Sequence, residues 1–455
     1  MIGKVKIVYL LGIGGIGMSA LARYFSHFGC SVSGYDKTET QLTNELISEG
    51  INVSYIDEVQ NLPNEIKDGK PSEEILVIYT PAIPKVSVQL NFVANNGFKL
   101  IKRAQVLGEI TKNSNSIAVA GTHGKTSTST LIAHLFKHAG KNVNAFLGGI
   151  SGNYNTNLLL SENSTQTVIE ADEYDRSFLQ LFPNVAVITS MDPDHLDIYG
   201  NETEMVKCYN DFARQVKSNG VLFYKYGLPI DEHKNSFSYG FNENANFYTH
   251  NISITNGNYH FDLKTPNETI KDITIGLPGR HNVENATVAF AVALHEGLSV
   301  NEIKTGMETF KGARRRFEYK IKTDKLIFID DYAHHPEELR ACISSVIEMY
   351  PSKKIVGVFQ PHLFSRTKDF ADEFARSLEL LNTVVLLEIY PARELPMEGV
   401  NSQMLLDKIN KKEKYIVEKE NVPKFLKKLN ADIVLTLGAG DIDKLVEPIK
   451  NELTA

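Results

Sequence analysis

The sequence predicts an α/β protein built in three blocks, and three observations predict it. Two apolar runs, 4–11 and 116–120, each lead into a glycine loop that opens a helix-like segment. A later stretch sets apolar runs at 326–330, 355–359, 383–388 and 432–437 between helical segments. The chain has 455 residues, and at roughly 100–200 residues per domain that length argues for two to four domains. Hydrophobic residues make up 42% and charged residues 23%, which excludes a disordered chain, a collagen and a disulfide scaffold.

The first block begins with the strand at 4–11, a helix over about 18–28 and a second strand at 32–36. Residues 61–74 carry Pro63, Pro71 and Gly69 among polar residues and read as a surface connection. A buried strand at 74–80 ends at Pro81, and the block closes near Gly108. The second block opens with the strand at 116–120, a glycine loop and a helix ending near Gly140, with further strands at 166–170 and 185–189. From about 236 to 276 the pattern turns to alternation, with Asn256-Gly257 between two strand-like runs, so a small antiparallel patch is expected there. The third block follows Lys311-Gly-Ala-Arg-Arg-Arg-Phe317.

Composition narrows the function classes. Lysine and arginine number 48 against 55 acids, a net charge of −7, which gives no general pull toward nucleic acid or an anionic membrane. Local basic sites for phosphorylated ligands stay open. Cys30, Cys208 and Cys342 form no CxxC pair, so neither a zinc ribbon nor a redox pair is supported, and a reducing compartment fits. No apolar run nears the roughly 18 residues that span a bilayer. The start runs straight into a glycine loop without a small-residue cleavage site, so it reads as a strand, no membrane insertion is expected, and the location is expected to be cytoplasmic.

Gly12-Ile-Gly14-Gly15-Ile-Gly17 matches G-x-G-x-x-G between a strand and a helix, and Asp36 closes the next strand. Missing side chains there let backbone N–H groups and a helix N-terminus approach a diphosphate. NAD and a nucleotide-sugar diphosphate would use the same cradle, and a packing turn would need the same glycines. Gly121-Thr122-His123-Gly124-Lys125-Thr126 is the second loop, followed by Ser127. A full Walker A loop needs glycine where Val119 stands. The shorter loop still offers N–H donors, a lysine for β- and γ-phosphates and a hydroxyl for Mg²⁺. Glu170 closes one strand and His195 follows another, so Lys125, Thr126, Glu170 and His195 are expected to converge at the carboxyl ends of a parallel sheet.

Together these motifs resemble the Mur ligase family of ATP-dependent amide-forming ligases. The resemblance covers nearly the whole chain. It is carried by the two glycine loops, Glu170-Ala-Asp-Glu-Tyr-Asp175, Asp194-His195-Leu-Asp and Gly279-Arg-His-Asn-Val-Glu-Asn285. Arg315-Arg-Phe-Glu318, Asp330-Asp-Tyr-Ala-His-His-Pro336, Phe359-Gln-Pro-His-Leu-Phe-Ser-Arg-Thr367 and Gly438-Ala-Gly-Asp-Ile442 complete the set.

The resemblance implies three domains: a Rossmann-like UDP-binding domain over 1–108, a central P-loop-type ATPase domain over 109–313, and a C-terminal Rossmann-like domain over 314–455. A hinge near 311–316 would let them close. Gly12, Gly14, Gly15, Gly17 and Asp36 would hold a UDP-sugar and no NAD. The implied reaction joins L-alanine to the lactyl carboxylate of UDP-N-acetylmuramate, with ATP activating the acid as an acyl phosphate. Lys125 and Mg²⁺ would meet the γ-phosphate, with Thr126 and Glu170 on one ion and His195 with Glu170 on a second. His281, Asn282 and Asn285 would contact adenine, Arg316 phosphate and Asp331 ribose; His334 and Arg366 would serve the alanine and the tetrahedral oxyanion.

Two departures stand out against the family pattern. Leu363 occupies a position where many alanine-adding members carry arginine, leaving Arg366, Lys368 or Arg393 for the carboxylate. The stretch where sister ligases place a carbamylated lysine has Asn210 here, with Lys207 one turn away, so carbamylation is not expected. A sister ligase that recycles a murein tripeptide onto the same UDP-sugar is the alternative within the family, and a nucleotide-switched binding module the alternative outside it. A monomer or a homodimer is the expected state.

Overall fold

The computed structural model describes residues 4–455 apart from 195, 256 and 393, and apart from the side chains of 196 and 197. Three sheets carry the fold, each flanked by helices. In the first, five parallel strands run in the order Asn52–Ser54, Ser31–Tyr35, Ile7–Leu11, Ile75–Tyr79, Leu100–Lys102. Strand Ile7–Leu11 therefore has neighbours formed by later segments on both sides. That is a topological switch point, where a crevice opens beyond the carboxyl ends of the strands. The first glycine loop stands at that crevice.

The second sheet has ten strands. At its centre Asn115–Ala120 lies between Val185–Ile188 and Gln166–Glu170, both parallel to it. Their carboxyl ends bring together the second glycine loop, Glu170 and residues 189–190. Apolar runs bury such strands on both faces, which is why parallel strands read as continuous hydrophobic stretches. All four residues of Val185–Ile188 are buried, and so are Ile117 to Ala120.

The alternating region differs in part from the expected antiparallel patch. Its first strand, Ser236–Gly240, pairs parallel with Val221–Lys225 and, over two residues, with Phe247–Thr255. The strands Phe247–Thr255, Asn258–Lys264 and Thr269–Ile275 then follow as sheet neighbours with connections of two and four residues, lengths that suit antiparallel pairing. The expected turn falls on Asn256-Gly257, and Asn256 lies outside the described residues. The connection at 61–74 holds a short helix, Asn64–Lys67, whose Ile66 is buried.

The third sheet runs Glu318–Lys322, Ile327–Asp331, Ile433–Leu437, Ile355–Phe359, Thr383–Leu386, Lys414–Ile416, with only the first pairing antiparallel. The chain divides into two compact units. One comprises Met1–His250, Asp262–Ile273 and Glu284–Thr309; the other comprises Asn251–Phe261, Thr274–Val283 and Phe310–Ala455. Within the first unit one hydrophobic cluster runs from Val8 and Leu10 through Ala118 and Ile188 to Leu222, so the first two sheets share a core. Helix Arg103–Lys112 crosses the boundary expected at 108. The second unit has its own cluster around Phe328, Val356, Val385 and Val434. Among the described residues no helix is long and apolar enough to cross a membrane.

Candidate active site

The first glycine loop consumes most of its own donors. The N–H groups of Gly12 and Ile13 both donate to Tyr35 O, at 2.7 and 3.0 Å, and Gly15 N–H donates to Gly12 O at 3.2 Å. Gly14 N–H donates to Asp36 Oδ2 at 2.8 Å, across 22 residues. Asp36 also accepts Thr38 N–H at 3.1 Å, so its first task here is to fix the loop. The glycines fit because side chains would not. Gly12, at φ 88°, is packed on Thr80; Gly14 lies against Thr43 and Asp36; a Cβ on Gly17 would strike the Arg103 guanidinium.

The second loop spans the end of Asn115–Ala120 and the start of helix Lys125–His138. Gly124 caps that helix at φ 83°, and a Cβ there would lie 2.7 Å from Asn285 Oδ1. Asn285 is thereby placed against the loop. Thr189 and Ser190 staple the loop from the next strand. Ser190 Oγ accepts His123 N–H at 2.7 Å and pairs with Thr122 Oγ1 at 3.1 Å, while Thr189 Oγ1 donates to Ala120 O at 3.0 Å and to His123 O. His123 Nε2 lies 3.7 Å from Asp192. Thr126 is buried and Ser127 partly so, both in the first helical turn.

Lys125 is 14% exposed and its Nζ reaches Gly121 O at 2.6 Å, Thr122 O at 3.3 Å and the Glu173 carboxylate at 2.7 and 2.9 Å. Burial works against its charge, but Glu173, Glu170 and Asp172 outweigh burial and hold its pKa above the ordinary lysine value. Burial pushes Glu173 up to about 7 against the pull of Lys125. The segment carrying Glu173 is strained: Asp175 and Arg176, which follow it closely, both take left-handed backbone at φ 55° and 54°. Tyr199 donates to Glu173 O at 2.6 Å and anchors the segment from the other side.

Glu170 ends its strand with its carboxylate against the Cα of Gly148, and its Oε2 is buried without a hydrogen-bond partner among the described residues. A hydroxyl and an orphaned carboxylate oxygen beside a phosphate loop are hard oxygen donors that suit Mg²⁺. His195 lies outside the described residues. Among those described, no group of three or more His, Cys, Asp or Glu side chains is arranged to hold a metal. Asn210 is buried and fully engaged, donating to Val206 O and Pro229 O and accepting Asp231 N–H, while Lys207 is exposed.

The second unit assembles a separate cluster. Asp331 is buried and accepts Phe317 N–H at 2.7 Å and Ala333 N–H at 2.8 Å; burial pushes it up to about 6. Arg316 lies over the Tyr332 ring at 5.1 Å and reaches Glu338 at 3.4 Å. Arg315 ties Asp330 and Gly438 O together. His334 Nδ1 stands 3.1 Å from Glu338 and 3.0 Å from Tyr332 O. His281 has a buried Nδ1 without a hydrogen-bond partner among the described residues, and burial, with Arg316, lowers its pKa to about 4. Asn282 spends an amide hydrogen on Pro278 O at 2.6 Å inside its own turn. Arg366 is 6% exposed on helix Phe364–Asp369, which starts after Leu363 at φ 71°. Leu363 itself is buried, Lys368 is exposed, and Arg393 lies outside the described residues.

Three residues that sequence reasoning left without a role therefore matter: Glu173, Ser190 and Arg103. Glu173 sits inside a motif already singled out. Ser190 and Arg103 carry no local signal, because their partners lie 67 and 69 residues away.

Comparison with known proteins matches this layout block by block. The model of the Mur ligase family, catalytic domain, matches residues 7–115; that of the Mur ligase middle domain matches 119–293; that of the Mur ligase, glutamate ligase domain, matches 315–440. The UDP-N-acetylmuramate–L-alanine ligase of Christiangramia forsetii is 50% identical over 99% of this chain and 98% of its own length. That of Flavobacterium psychrophilum is 49% identical over 99% of both. The crystal structure of a UDP-N-acetylmuramate-alanine ligase from Thermotoga maritima superposes with a TM-score of 0.84 at 27% identity, covering 98% of this chain and 99% of that one. A murein peptide ligase from Psychrobacter arcticus shares the fold, at a TM-score of 0.72 and 20% identity over 98% of both chains.

Proposed function

The chain belongs to the Mur ligase family, and from that premise we propose that it joins L-alanine to the lactyl carboxylate of UDP-N-acetylmuramate at the expense of ATP. The observation that carries the reading is near-50% identity to alanine ligases along the full chain, laid over a phosphate loop whose lysine and acidic partners are in place. A carboxylate cannot expel oxide, so transfer of the ATP γ-phosphoryl group to it makes an acyl phosphate. The neutral amine of alanine then attacks the acyl carbon and phosphate leaves. Both steps gather negative charge on phosphoryl or acyl oxygens, and fixed positive charge lowers their barriers.

Lys125 supplies that charge at the γ-phosphate once ATP draws its ammonium from Glu173. Gly121, Thr122, His123, Gly124 and Ser127 line the triphosphate, with Asn285 beside the loop. Thr126 and Glu170 would hold Mg²⁺, with His195 and Glu170 holding a second ion; bound there, the metal screens phosphate charge and polarises the γ-phosphoryl group. His281, Asn282, Arg316 and Asp331 serve the nucleotide, and His334 and Arg366 serve alanine and the oxyanion. Gly12, Gly14, Gly15, Gly17 and Asp36 hold the UDP-sugar. The working division is 1–108 for the UDP-sugar, 109–313 for ATP and 314–455 for the amino acid. A cytoplasmic location fits substrates that are ATP and a nucleotide sugar.

Phosphate release from ATP, measured against UDP-N-acetylmuramate with either L-alanine or a murein tripeptide, tests this. L-Alanine is expected to support turnover, and Lys125→Met to lower it on the order of 10³-fold. Turnover with tripeptide alone, or ATP hydrolysis indifferent to both co-substrates, would overturn it.

A further inference from the structure

The first glycine loop poses an electrostatic problem. A diphosphate needs donors or cations, yet the N–H groups of Gly12, Ile13, Gly14 and Gly15 are spent on Tyr35 O, Asp36 and Gly12 O. Asp36 even places a carboxylate against the loop. Only the start of helix Ile16–His27 remains, where Ile16 and Gly17 head the first turn without preceding helical acceptors. A helix terminus alone contributes roughly half a charge.

Arg103 stands at that point. Its Nη1, Cδ and Cζ lie so near the Cα of Gly17 that any side chain there would collide with them. The arginine begins helix Arg103–Lys112, just after strand Leu100–Lys102 at the edge of the same sheet. It is part-buried at 21% exposure, and its Nη2 pairs with Asp172 Oδ2 at 2.7 Å. Asp172 belongs to the acidic segment whose next residue, Glu173, holds Lys125. Arg23, the arginine on helix Ile16–His27, is already bound to Glu49 and to Asn157 Oδ1. The neighbouring Lys102 pairs with Asp175.

We propose that Arg103 is a substrate-binding residue whose guanidinium takes the diphosphate of the UDP-sugar at Gly17, a role that rests on the function proposed above. The planar fork carries several donors, so one edge can stay on Asp172 while another meets a phosphate oxygen. Gly17 is then glycine because the arginine and the diphosphate both need the space over its Cα. The Asp172 pair keeps the cation from being stranded when no anion is bound.

Calorimetric titration of the full chain with UDP-N-acetylmuramate and with UDP, which has the diphosphate without sugar or carboxylate, tests this. Arg103→Met is expected to weaken both ligands about tenfold or more, and Arg103→Lys to recover part of the loss. Asp172→Asn removes the ion pair but leaves the cation, so it should bind both ligands at least as tightly as the wild type. If Arg103 merely ties two segments together, Arg103→Met and Asp172→Asn will weaken binding equally, and the proposal falls. It also falls if Arg103→Met binds like the wild type, or loses affinity for UDP-N-acetylmuramate alone, which would assign the arginine to the lactyl carboxylate. Should Arg103→Met not fold, Arg103→Lys decides: affinity equal to that of Asp172→Asn overturns the role. Wild-type protein that binds neither ligand overturns the functional reading itself, a result distinct from all of these.

Discussion

Glu173 and Lys125 lie 48 residues apart and meet through 2.7 Å in a nearly dry setting. The carboxylate's pKa in the folded protein, about 7, lies above its ordinary 4.5. The folded chain therefore keeps a proton that the unfolded chain gives up. That contribution to stability is complete below pH 4.5 and is lost as the pH rises through 7. Glu173→Gln should flatten this fall by on the order of 1 kcal/mol in urea unfolding compared at pH 5 and pH 8. An unchanged slope would remove Glu173 as its source. The acidic motif and the place of Glu170 at a strand end were visible in the sequence. Glu173 could not, because its partner is chosen by how the segment turns through two left-handed residues, Asp175 and Arg176. Asp36 shows the same limit: its chemistry was legible, and its hold on the Gly14 amide was not.

Strands with continuous apolar runs were legible because both faces are buried: Ile7–Leu11, Ile355–Phe359 and Ile433–Leu437 are each nearly or wholly enclosed. Three-residue strands such as Asn52–Ser54, Leu100–Lys102 and Lys414–Ile416 are too short to show a period, and pairing alone makes them strands. Alternation at 236–240 suggested an antiparallel neighbour, yet alternation reports only which faces are wet, and the partner there is parallel. The loop at 121–124 owes its shape to a neighbouring element more than to its own glycines. Ser190→Ala would leave the His123 N–H and the Thr122 hydroxyl without their acceptor and partner. It should cost about 1–3 kcal/mol of stability and raise the KM for ATP more than it lowers kcat. Equal melting temperatures and an unmoved KM for ATP would show that the loop holds its form unaided.

Three sheets serve two compact units, and the shared cluster from Val8 to Leu222 explains why the first two behave as one body. A ligand that binds only the folded first unit must stabilise it by mass action. UDP-N-acetylmuramate at about a hundred times its Kd should add about 2.7 kcal/mol to the unfolding free energy of that unit. Thermal melts with and without the ligand will show this as a raised Tm, and coincident melts at such an excess would contradict binding. Composition, glycine loops, an acidic strand end and apolar periodicity sufficed to identify three α/β blocks and a nucleotide chemistry, because each is a local property of consecutive residues. Tertiary structure alone decided that Arg103 lies on Gly17, that Glu173 holds Lys125 and that Ser190 staples His123, since contacts across 48 to 86 residues depend on strand order and leave no mark on the local pattern.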